Sequence, residues 1–81
     1  MIMNEDELSA TLTAGLGASE VQMQAQGNKV TLVLVSEAFD GLNRVKRQQL
    51  VYKLLDEKIS SGEIHAVSMR CLTPTERHNE V

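Results

Sequence analysis

The sequence predicts a two-layer α+β domain of order α-β-β-α-β, a three-stranded sheet backed by two helices, and three observations carry that prediction. Residues 21–25 alternate apolar and polar, and Val30–Val35 is an almost unbroken apolar, β-branched run, so the two read as neighbouring strands. A longer segment from about Asn43 to Ser60 has helical periodicity, and a third strand-like run follows it.

The first element follows from Leu8, Leu12 and Leu16, four residues apart, behind an Asn4–Glu7 pair that reads as a capping box. Gly15 and Gly17 are expected to end this helix. In the first strand Val21, Met23 and Ala25 face the covered side while Gln22 and Gln24 face water, and the QGNK stretch turns the chain into VTLVLV, the expected central strand. SEAFDG interrupts the pattern, and the second helix stops at Ser61 and Gly62. At about 100° per residue its apolar sector takes in Val45, Val51, Tyr52, Leu55 and Ile59, with Gln48 in the middle. The last strand is expected over Glu63–Leu72, with His65, Val67, Met69 and Cys71 on one side. Residues 1–81 read as one domain, with 74–81 a loose C-terminal tail.

Composition removes several function classes. The 81 residues are too few to enclose both a sizeable core and a deep substrate cavity. Phe39 and Tyr52 are the two aromatics, so no stacking platform for bases exists. One cysteine, Cys71, rules out an internal disulfide and reads as a packed core thiol. Ser36, Glu37 and Asp40 form a small polar group, but no general base is spaced to serve them, so no enzyme is expected. The MIMNEDE start lacks a secretory pattern and no apolar run is long enough to cross a bilayer, which makes a cytoplasmic setting the expectation.

The formal charge is −3, yet five of the eight cations, Arg44, Lys46, Arg47, Lys53 and Lys58, belong to the second helix. They divide between two flanks, Lys46 and Lys53 on one and Arg44, Arg47 and Lys58 on the other, and Glu57 is placed to pair with Lys53. Leu50 projects between the lysines in this reading, where it would serve a protein partner.

The stretch FDGLNRVKRQQLVYKLLDE, followed by the IHAVSM strand, resembles the BolA-like family, and its KRQQ form resembles the IbaG branch. The resemblance runs from about residue 5 to Glu76 and implies a fold related to the class II KH domain. It also implies a monothiol glutaredoxin as partner and a two-iron two-sulfur cluster shared with glutaredoxin and glutathione. His65 matches the family's histidine ligand, with Arg44, Lys46, Arg47 and Leu50 as the expected partner contacts. The sequence departs from many relatives at the loop between the first two strands, where Lys29 stands near the place of a second Cys or His ligand. Arg77 likewise stands where IbaG-type relatives often have Trp.

Cys71 is six residues from His65, roughly 20 Å along an extended strand, so it cannot share a small cluster with it. The tail residue His78 has no motif around it. The chain is therefore expected to hold no metal alone, and to exist as a monomer or weak homodimer. The alternative reading is a nucleic-acid-binding regulator using Arg44, Lys46, Arg47 and Lys53. It lacks the Gly-x-x-Gly loop by which KH domains hold a nucleic-acid backbone, and divided charge on an acidic chain predicts weak binding.

Overall fold

The computed structural model describes residues 5–79; Asn4, the expected cap of the first helix, lies outside them. Helix α1 spans Glu5–Leu16, strand β1 Glu20–Gln26, strand β2 Lys29–Val35, helix α2 Arg44–Ser60, strand β3 Ala66–Leu72 and helix α3 Pro74–Asn79. A 3-10 turn, Glu37–Phe39, lies between β2 and α2.

The sheet has the order β1-β2-β3, with β1 antiparallel and β3 parallel to the central β2. Gly27 takes the left-handed backbone conformation, φ 62°, that a two-residue hairpin turn requires at its first position, and this sets Gln26 opposite Lys29. Leu8, Leu12 and Leu16 of α1 and Val51 and Leu55 of α2 are buried together with Val30, Leu32 and Leu34 of β2, Phe39 and Ile64. The helices thus cover one sheet face, and the other face, with Gln22, Gln24, Thr31 and Ser68, stays open to solvent.

Ser36 joins two elements at the buried end of β2. Its hydroxyl donates to the Leu16 carbonyl and accepts from Ala38 N at 3.0 Å, satisfying the end of α1 and the start of the 3-10 turn together. Ser36 is therefore a structural residue.

Three expectations need correction. The last strand begins at Ala66, not Glu63, because α2 first closes through Gly62 at φ 84°, and Ile64 N donates back to Lys58 O at 3.2 Å. The apolar sector of α2 is also rotated from the expected one. Val51 and Leu55 are buried, but Val45, Tyr52 and Ile59 face solvent. The rotation follows from the seat against α1, where Leu54 lies so close to Gly15 that a β-carbon there would fall 2.7 Å from Leu54 Cδ2. Leu50 and Leu54 consequently pack against the core, so Leu50 is no lone outward leucine.

The third correction concerns the tail: residues 74–79 form α3. Thr73 and Glu76 make a reciprocal capping box, with Thr73 N donating to Glu76 Oε1 at 2.8 Å and Glu76 N donating to Thr73 Oγ1 at 3.2 Å. Pro74 occupies the first helical position, where its missing N–H is no loss. Ion pairs tie the helix down on two sides. Arg47 meets Glu76 at 2.6 Å, and Arg77 meets Glu20 of β1 at 3.2 Å.

Candidate functional site

His65 occupies the short link between α2 and β3. Buried Ile64 anchors that link from one side, and from the other the His65 N–H donates to the Asn28 carbonyl in the β1–β2 turn at 2.7 Å. The imidazole itself is exposed and makes no hydrogen bond with any described residue. Strand parity placed His65 beside Val67, Met69 and Cys71, but the strand has not yet begun at residue 65, so Ile64 takes the inward position and His65 the outward one. The backbone holds the residue in place while both ring nitrogens remain available.

Lys29 pairs in register with Ala66, the residue that follows the histidine. Among the described residues no three His, Cys, Asp or Glu side chains gather as a metal site. Cys71 is at the far end of β3, half-buried against the core. Burial pushes its thiol pKa up, and the nearby Arg47 offsets part of that rise. His78 sits on α3 at that same far end and is not on a free tail.

The cations of α2 separate into two groups. Arg47 is internal: its Nε donates to Leu42 O at 2.9 Å, Nη1 to Cys71 O at 3.0 Å, and its two terminal nitrogens form a fork on Glu76. Lys58 pairs with Glu63 at 3.2 Å and with Glu7 at 3.7 Å. Arg44, Lys46 and Lys53 are exposed, and the expected Lys53–Glu57 pair is not formed. Arg47 is thereby occupied in both sequence readings that used it, and three outward cations remain.

These cations do not surround His65. The start of α2 lies beside Cys71 and its end beside Ile64, so Arg44 and Lys46 are about 20 Å of helix away from the histidine. This separation was legible in the sequence, since a helix over residues 44–60 with a short link after it already sets its start far from His65.

The Arg47 fork holds the Glu76 carboxyl down to about 2, with the Thr73 N–H as a second cause. A carboxylate depressed in the folded chain below its ordinary value near 4.3 contributes stability above that ordinary value, and the contribution is lost as pH falls through the folded one. An NMR titration should therefore find Glu76 ionised well below pH 4, with α3 loosening only as the pH approaches 2. A Glu76 midpoint in the ordinary carboxylate range would contradict the fork.

A family model described as BolA-like protein matches residues 6–76. Over 74 residues the chain is 40% identical to the acid stress protein IbaG of Escherichia coli, covering 91% of this chain and 88% of that one. Among solved structures, BolA1 from Arabidopsis thaliana superposes with a TM-score of 0.83 at 31% identity, over 93% of this chain and 98% of its own. The BolA domain of SufE1 from the same plant gives 0.83 at 28% identity, over 91% and 98%.

Proposed function

The chain belongs to the BolA-like family, whose members are non-catalytic adaptors, and from that premise we propose that it docks a monothiol glutaredoxin and lends His65 to a two-iron two-sulfur cluster held between them. Its kinship with a SufE-type protein's BolA domain links it to iron–sulfur and redox-related pathways. The observation that carries the finer reading is the exposed imidazole, held by its backbone at the hairpin turn with no internal partner.

One histidine is far from a closed site, so the remaining ligands are sulfurs from glutaredoxin and glutathione. Replacing a thiolate by an imidazole raises a cluster's potential, which suits a cluster meant to be passed on. Lys29, opposite Ala66 in the register of β2 and β3, contributes no ligand. Arg44 and Lys46 remain partner contacts in this proposal, whereas Leu50 is taken up by the core. Their separation from His65 fits within one interface, since a standard one takes roughly 800 Å² from each side.

The test is spectroscopic. Adding the protein to cluster-loaded monothiol glutaredoxin should change the visible absorption and circular dichroism, and His65→Ala, which removes an exposed ring, should lose that change while keeping its far-ultraviolet spectrum. An unchanged spectrum on mixing, or an equal change with the variant, removes the role given to His65.

A further inference from the structure

We propose that the chain self-associates through the free edge of β3 and the overhanging flank of α2, two copies joining about a two-fold axis into a six-stranded sheet. The proposal stands apart from the glutaredoxin reading and rests on the surface next to β3.

Among the described residues β3 pairs only with β2, so its other side presents unpaired backbone N–H and C=O groups along its first part, up to Cys71, whose carbonyl accepts from Arg47 Nη1. Sheet edges are commonly protected by proline, by bulges or by several charges. Across Ala66–Leu72 there is no proline, the register with β2 is unbroken, and Arg70 is the one charged residue.

Above that edge lies the exposed flank of α2. Val45, Tyr52 and Ile59 are 59%, 41% and 37% exposed, and among the described residues they are all the large apolar side chains that face solvent. They are seven residues apart and so form a single line down the helix. Leu54, on the opposite side of α2, packs on α1, which places this line over the β3 side.

The arrangement is self-complementary. Tyr52 is central, with Val45 and Ile59 at equal distances, so a second α2 running the other way sets Tyr52 against its copy and Val45 against Ile59 of the second copy. The strand satisfies the same axis. Arg47 lies beside Cys71; from there Tyr52 is about 7.5 Å along the helix and Met69, the middle of β3, about 6.6 Å along the strand. Tyr52 and Met69 therefore stand level, and an axis passing both pairs the strands antiparallel and the helices antiparallel.

Charge favours the same orientation. The first turn of α2 carries Arg44, Lys46 and Arg47 and no acid, the wrong sign for its own helix dipole. In the antiparallel pair the exposed Arg44 lies near the carbonyl end of the other α2, and Asp56 of the second copy faces the first half of the helix.

Sedimentation equilibrium on the full chain tests this. A reversible dimer is expected, with Kd on the order of 10–100 μM, and Tyr52→Glu should weaken it at least about tenfold while leaving the circular dichroism of the fold intact. Arg44→Glu should weaken it as well, and hydrogen exchange across Ala66–Leu72 should slow as concentration rises through Kd. A chain monomeric throughout that range would overturn the proposal, as would a dimer indifferent to Tyr52→Glu. Protection of β3 that arises only when a glutaredoxin is added would overturn it too, giving the surface to that partner.

Discussion

Replacing Phe39 with alanine is expected to destabilise the domain by about 3–5 kcal/mol, the largest effect of any single substitution considered for this chain. Phe39 is completely buried within a 3-10 turn of three residues, and its ring is the one aromatic group in a core otherwise made of Leu, Val and Ile. The turn is held at Ser36, and four residues after it α2 begins, so the backbone has little freedom to collapse into the space left by the ring. A domain of this length has a total stability of roughly 4–12 kcal/mol. The variant should therefore lose between about a quarter and the whole of that stability. Urea denaturation followed by far-ultraviolet circular dichroism would show it as a sharply lowered midpoint, and a shift smaller than about 1 kcal/mol would mean that the core repacks around the gap.

Arg47→Ala is expected to cost about 1.5–3 kcal/mol and to release α3. The guanidinium bonds two backbone carbonyls and the Glu76 carboxylate, linking α2, the end of β3 and α3. Truncation leaves Leu42 O and Cys71 O to water and removes the cation that keeps Glu76 ionised. Arg47→Lys should restore little of this, since an ammonium cannot bridge the three acceptors with the geometry of a planar fork. Amide exchange over Pro74–Asn79 gives the readout. Fast exchange there in both variants, with the β1–β2 hairpin still protected, is the expected pattern; undisturbed protection of α3 would show that Arg77–Glu20 and the capping box suffice.

The parts of the fold legible in the sequence were those set by neighbours in the chain. The hairpin followed from alternation in 21–25 and the run 30–35, and the start of α2 at Asn43 was visible because an Asn side chain caps Lys46 N at 2.9 Å. The stop of α1 at Leu16 needed only the glycines around it. α3 was missed although Thr73-Pro74-Thr75-Glu76 is a local starting signal, because a proline and five polar residues have no apolar face and the ion pairs that hold them reach far along the chain. The rotation of α2 depended on Leu54 meeting Gly15, a tertiary contact that periodicity alone cannot supply. At the site, the identity of His65 came from family resemblance, whereas its exposure depended on where β3 begins. The distance from His65 to Arg44 and Lys46 followed from the length of α2 alone.

The mixed sheet also sets the order in which the molecule can fold. β1 and β2 meet across two residues and can zip within microseconds, but Lys29 has to wait for Ala66, with all of α2 intervening. Closing that long loop loses chain entropy before any parallel pairing compensates for it. The slow step is therefore the arrival of β3, and until it arrives the most apolar strand of the protein keeps one side unguarded, which makes the half-built sheet the species most exposed to aggregation.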